Sequence, residues 1–163
     1  GLAHPGEESD MPTPAASCGF EQLAVGQEAA FETELTDRDI DAFAALSGDA
    51  NPLHVEPAFA RDRGFPDRVA HGAHLVALAS RLVGMHLPGR DALLLAVQAS
   101  FTAPVHPGTR LTVTGTVDQL SDGVRSAILK LRVTETGTGR LLARGKLTVG
   151  FTDRGRAGTP GYG

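Results

Sequence analysis

Asp49 and His54 stand five residues apart on either side of Pro52, within LSGDANPLHVEPAFA at residues 46–60. Proline holds its own φ near −65°, has no N–H, and disfavours helical backbone at the residue before it, here Asn51. A helix arriving from the N-terminal side must therefore stop, so the two side chains do not share a helix face. On a turn, a carboxylate and an imidazole can converge from two sides on one small molecule, and both can carry protons to and from it. The plainer reading makes Asn51 and Asp49 caps of the preceding helix and His54 an ordinary turn histidine. For an isolated Asp and His at this spacing the plainer reading would be preferred.

The remaining chemistry-bearing residues are sparse. His71 and His74, three apart in a helical pattern, could share a metal ion, but no third ligand follows at a recognisable interval, so no metal is expected. His86 and His106 read as surface or turn residues. Cys18 is the single cysteine, so no internal disulfide forms, and nothing near it in sequence would activate it. The glycines are scattered at turns without a phosphate-binding pattern. A net charge of −4 with no dense run of Lys or Arg argues against a nucleic-acid partner. No apolar run is long enough to span a bilayer, and the N-terminus lacks the basic-then-apolar pattern of a secretory signal. A soluble, cytoplasmic protein with no membrane partner is expected.

Several elements must position the pair. A first strand is predicted over 29–35, and Thr36 with Asp39 three residues on forms a capping box that opens a helix ended by Ser47-Gly48. Ile40, Phe43, Ala44 and Leu46 make its buried stripe. A short helix is predicted over Pro57–Arg63. From Val69 to Met85 the apolar and small residues run all round the cylinder, which predicts a long helix enclosed by other elements, kept thin by Ala73, Ala77, Ser80 and Gly84. Four alternating runs follow at 93–101, 110–120, 124–135 and 141–151, the last three forming an antiparallel meander. The fold class is therefore α+β, one antiparallel sheet wrapped around an apolar helix. At 163 residues the chain suffices for one domain. It is expected over residues 19–152, after a disordered leader at 1–18 and before a flexible tail at 153–163. A sheet open at one edge is expected to be covered by a second copy in a homodimer.

The string SGDANPLH, followed by EPAFA and by VAHG at 69–72, resembles the MaoC-like or R-specific enoyl-CoA hydratase family, in which SGDxNPLHxDP marks the corresponding segment. The resemblance spans roughly residues 20–152 and implies the hot-dog fold, a single antiparallel sheet around a long apolar helix. It further implies a lyase that interconverts trans-2-enoyl thioesters and (R)-3-hydroxyacyl thioesters. Asp49 and His54 would hold one catalytic water, Gly72 would bind the thioester carbonyl, Ser80 would lie near the pair, and Asn51 would orient the loop. No metal or redox cofactor is implied, because coenzyme A or a phosphopantetheine carrier is part of the substrate. Which of Asp49 and His54 takes the water's proton stays open.

Two alternatives accompany this reading: a carrier-protein-linked 3-hydroxyacyl dehydratase of fatty-acid or polyketide assembly, and a non-catalytic acyl-thioester-binding module. Arg61, Arg63, Arg68 and Arg81 are candidates for a basic patch at the pocket mouth. Glu56, Ala73, His74 and the segment GFPDR depart from the family pattern, and they bear on substrate identity more than on reaction type.

Overall fold

The computed structural model describes residues 13–153. After a short 3-10 turn at Phe20–Gln22 come β1 (Glu28–Leu35), α1 (Asp37–Ser47), α2 (Pro52–Val55), α3 (Pro57–Asp62) and α4 (Gly72–Arg81), with a π-helical turn at Leu82–His86. Four strands complete the chain: β2 (Ala92–Phe101), β3 (Thr109–Ser121), β4 (Ser126–Glu135) and β5 (Leu141–Phe151). They form one sheet in the order β1-β3-β4-β5-β2, and every neighbouring pair is antiparallel. The α+β class and the β3-β4-β5 meander are as expected, with β1 and β2 added at opposite edges.

Alternation decides which face of the sheet is wet. Leu111, Val113 and Val117 of β3, Ala127, Leu129, Leu131 and Val133 of β4, and Ala143, Leu147 and Val149 of β5 are all buried. Onto this face pack Leu75 and Ala79 of α4 and then Leu82 and Val83 of the π-turn. Gly115 supplies the seat for Leu82, because a β-carbon there would lie 2.5 Å from Leu82 Cδ2.

The helix expected over Val69–Met85 is shorter than its hydrophobic pattern. Residues 69–71 are not helical, and their amides bond elsewhere: Val69 N–H donates to the Leu53 carbonyl (3.1 Å) and Ala70 N–H to that of Val105 (2.7 Å). Nor is α4 enclosed on all sides in this chain. Leu75 and Ala79 are buried while Ala73, Ala77 and Ser80 are exposed, so the small residues that made the pattern look apolar all round mark an open side.

The expected leader also ends earlier than residue 18. Ala16 N–H donates to Met85 O (2.9 Å), Cys18 N–H to Pro88 O (3.1 Å), and Arg90 N–H returns to Ala16 O (2.8 Å). This short pairing ties residues 16–18 to the end of the π-turn. The rest of the expected leader, residues 1–12, and the tail from 154 onward lie outside the described residues. Among the described residues no helix is long and apolar enough to cross a membrane.

The solvent face of the sheet holds two direct like-charge pairs, Lys130 opposite Lys146 and Arg132 opposite Arg144. Lys130 meets Asp118 at 3.4 Å, whereas Arg132 and Arg144 have no ion pair among the described residues. Like charges directly opposite destabilise a sheet, and opposite ones stabilise it by about 0.2–1 kcal/mol. Arg144→Glu is therefore expected to raise the urea unfolding midpoint without changing the slope of the transition.

Candidate active site

The site grows from the end of α1. Thr36 caps that helix, its Oγ1 accepting from Asp39 N–H (3.2 Å) while Asp39 Oδ2 accepts from Thr36 N–H (2.8 Å). The Thr36 backbone donor is the main reason the Asp39 carboxyl is held below its ordinary range. Gly48 ends the helix at φ 76°, a left-handed conformation that glycine adopts without a β-carbon clash. Ser47 Oγ then accepts from Asp49 N–H at 3.1 Å, and Asp49 Oδ1 accepts from Asn51 N–H at 3.2 Å.

Pro52 does more than stop a helix. It is the first residue of the one-turn α2, and the Asn51 side chain caps that turn by accepting from Leu53 N–H at 3.0 Å. Proline is well suited there, because its missing N–H would have had no intrahelical acceptor. His54 is thus presented from a capped helical turn, and Asp49 from the loop before it.

A backbone carbonyl orients the imidazole. His54 Nδ1 lies 2.6 Å from Val69 O, and because a carbonyl can only accept, Nδ1 carries the hydrogen. In the neutral ring Nε2 is then an unprotonated acceptor, 3.8 Å from Asp49 Oδ2. That separation is too long for a direct hydrogen bond. The Asp49 side chain is 52% exposed and that of His54 16%, so one group faces water while the other is set into the wall.

His71, only 2% exposed, braces both groups. Its Nε2 donates to the backbone carbonyl of Asp49 at 2.8 Å, and its ring stacks on His54 at 3.8 Å between centroids. Phe43 of α1 contacts the His71 ring at 4.9 Å and stacks on His74 at 5.2 Å. Both histidines considered as metal ligands thus pack on the Phe43 ring. A different trio, Asp49, His54 and His71, has ligand atoms within 4.8 Å of one another. Its two imidazoles lie nearly face to face, 26° from parallel, whereas two rings sharing an ion must aim their nitrogens at a common point. The arrangement suits proton chemistry better than coordination.

Gly72 opens α4, where its N–H has no intrahelical acceptor and the helix dipole is positive. The glycine also has a packing cause that sequence reasoning did not supply. A β-carbon here would lie 2.9 Å from Phe101 Cε2, so the Phe101 ring occupies the space that a side chain would need. Beside it runs a cleft of about 330 Å³ between residues 69–75 and residues 101–105.

Ser80 does not join this cluster. It is exposed on the open side of α4, eight residues and so about 12 Å along the helix from Gly72. Nor do the four arginines form a common patch. Arg63 and Arg81 lie over the rings of Phe59 and Phe31 at 4.3 and 4.1 Å, and Arg68 is buried.

Arg68 is the participant that sequence reasoning misplaced. Its guanidinium donates to Asp37 Oδ1 and Asp41 Oδ1, each at 2.6 Å, and to the His54 carbonyl at 3.3 Å. The bond to Asp37, with that to Asp41, raises its pKa against the opposing effect of burial. Nothing in the linear spacing links Asp37 to a cation thirty-one residues away. His106, expected as a surface or turn residue, contacts the Arg68 carbonyl through Nδ1 at 2.9 Å.

Comparison with known proteins adds an independent line. The sequence pattern of the MaoC like domain matches residues 21–138. The (R)-specific enoyl-CoA hydratase of Aeromonas caviae is 37% identical over 129 residues, covering 79% of this chain and 96% of that protein. The enzyme of the same name from Rhodospirillum rubrum is 35% identical, with 83% and 93% covered. The unliganded R-hydratase of Pseudomonas aeruginosa superposes with a TM-score of 0.80 at 30% identity, covering 86% of this chain and 89% of that one.

Burial lowers the pKa of His74, with Asp39 opposing and His71 adding to the effect; burial lowers that of His86 likewise. The unfolded chain therefore takes up these protons at higher pH than the folded chain. Stability from this source is complete above the unfolded value of about 6.5 and falls as pH drops towards the folded values. Urea midpoints at a pH above and a pH below that value should differ, and the difference should shrink in His74→Leu.

Proposed function

The chain belongs to the MaoC-like domain family, and on that footing we propose that it is a hydro-lyase adding water to trans-2-enoyl-CoA thioesters to give (R)-3-hydroxyacyl-CoA, and catalysing the reverse dehydration. The observation that carries this reading is the facing pair of acceptors, His54 Nε2 and Asp49 Oδ2, 3.8 Å apart. One water can donate a hydrogen to each of them and turn its lone pair toward substrate. As that oxygen bonds to C3, Nε2 takes one proton and the C2–C3 π electrons move toward the thioester oxygen. The proton on Nε2 then passes to C2, the thioester carbonyl re-forms, and the ring returns to its starting state. Asp49 keeps the second hydrogen bond and offsets the transient imidazolium charge. The Gly72 N–H, at the positive end of α4, is the candidate donor to the enolate oxygen.

Asn51 orients the loop in this reading, by capping the turn that carries His54. No resident metal or redox cofactor takes part, since the electrons shift only within the thioester. The coenzyme A portion belongs to the substrate, and the proposed setting is the cytoplasm.

A homodimer is part of the same proposal. Among the described residues, the outer edge of β2 has no neighbouring strand in the sheet. It exposes Leu95 (50%), Val97 (38%) and Phe101 (50%), and the small residues of α4 lie open as well. A second copy would cover both.

Loss of the enoyl-thioester absorbance with crotonyl-CoA tests the reaction, with chiral analysis of the product testing its configuration. Asp49→Asn and His54→Ala should each lower kcat by about 10²–10⁴-fold in folded protein, the range for a positioned acid–base group. Folded wild-type protein inert toward short and long enoyl-CoA thioesters would overturn the coenzyme A reading. Turnover of only the carrier-protein thioester would replace it with the carrier-linked dehydratase.

A further inference from the structure

Arg68 is 5% exposed, so its guanidinium loses hydration, a cost that close acceptors must offset. Arg68 has four of them, and they lie on two separate parts of the site. Asp37 and Asp41, one turn apart on α1, take Nη2 and Nη1 at 2.6 Å. The Asp37 carbonyl lies 3.4 Å from Nη2 and the His54 carbonyl 3.3 Å from Nη1. A planar fork engages two carboxylates and two carbonyls in fixed directions, which a single ammonium cannot do.

The backbone around Arg68 is equally tied down. Its carbonyl contacts His106 Nδ1. Val69 receives His54 Nδ1–H on its carbonyl and donates its amide to Leu53, while Ala70 donates to Val105. Residues 68–70 therefore form a rail, fixed to the segment before β3, against which the His54 ring is aligned. Asp49 comes from the other direction, at the end of α1. Arg68 joins the first turns of α1 to the rail and to the turn bearing His54.

We propose that Arg68 is a positioning residue that sets the separation and mutual orientation of Asp49 and His54. It acts through α1 and the His54 backbone, and its burial keeps it from substrate. The inference rests on the hydratase reading for its kinetic consequence but not for its structural one.

The test uses the full chain with Arg68→Lys, which keeps the charge and loses the fork, and Arg68→Ala. In Arg68→Lys, kcat on crotonyl-CoA should fall about 10- to 100-fold, the scale of a displacement on the order of 1 Å in a reacting group, while KM stays within about twofold because substrate contacts are untouched. Dilute guanidinium should restore part of the kcat of Arg68→Ala. Long-range proton–nitrogen NMR gives a readout independent of turnover: His54 should be predominantly Nδ1-protonated in its neutral form in the wild type and mixed in Arg68→Lys. If the Arg68 variants do not fold, Asp41→Asn, altered at an exposed carboxylate, should show the same kcat loss and tautomer change in milder form.

Unchanged kcat and an unchanged tautomer in folded Arg68→Lys would overturn the proposal. So would a raised KM at constant kcat, which marks a substrate contact instead. Inactive wild-type protein would sink the hydratase reading alone, and the tautomer measurement would then decide the role of Arg68.

Discussion

The hydrogen bond from His54 Nδ1 to the Val69 carbonyl is the constraint on which the site depends. It fixes the ring direction and selects which nitrogen is free to accept. A one-turn helix alone could not hold the ring so, because four residues leave most of their backbone groups unpaired. The turn is therefore secured at both ends. Asn51 and Pro52 secure its start, and the carbonyl of His54 reaches Arg68. The Val69 carbonyl is available because residues 69–71 do not join α4. Had the helix begun at Val69, as its hydrophobicity suggested, that carbonyl would have been directed along the helix to an amide four residues on. The shortened helix and the oriented histidine are two aspects of one arrangement.

The sheet provides the rigid backing. β3, β4 and β5 bury one continuous apolar face beneath α4 and the π-turn, and Gly115 lets Leu82 approach closely. Packing at that density leaves α4 little freedom to slide, so its N-terminus, with His71 and Gly72, is held against the Asp49 loop. Phe43 carries the same restraint across to α1 through its contacts with both His71 and His74. His74, out of place in so apolar a helix when read along the sequence, has an aromatic partner once α1 is folded onto α4.

Sequence was informative where the cause is local. The Thr36–Asp39 box, the Gly48 stop, the alternation of β3 to β5 and the meander depend on residues within a few positions of one another. The approach of Asp49 and His54 to each other was legible because the string around them is long and distinctive. Long-range causes were not legible. Arg68 finds Asp37 and Asp41 across α1, Phe101 arrives over Gly72 from β2, and His71 bonds the Asp49 carbonyl across twenty-two residues. None of these has a periodic pattern. Residues 16–18 were misread for a related reason: their pairing is made by backbone groups, which composition does not report. Ser80 lies on the side of α4 that the sheet leaves open, which position along a helix does not report.

The distribution of charge gives these pieces a common sense. Four carboxylates, Asp37, Asp39, Asp41 and Asp49, lie along or just after α1, and the nearby buried cation is committed to Asp37 and Asp41. Asp49 is left with an amide on Oδ1 and the Nε2 edge of the His54 ring beyond Oδ2. A guanidinium bound to Asp49 would hold its charge and its geometry too firmly for it to share a water with His54, since charge-assisted bidentate pairs are the strongest hydrogen bonds available here. Pairing Arg68 with the two outer acids keeps that cation close enough to organise the site while leaving Asp49 free to accept from a small molecule. The same burial that makes Arg68 costly removes it from competition with substrate. In this fold the charged group that matters most for order is kept apart from the charged group best placed for chemistry.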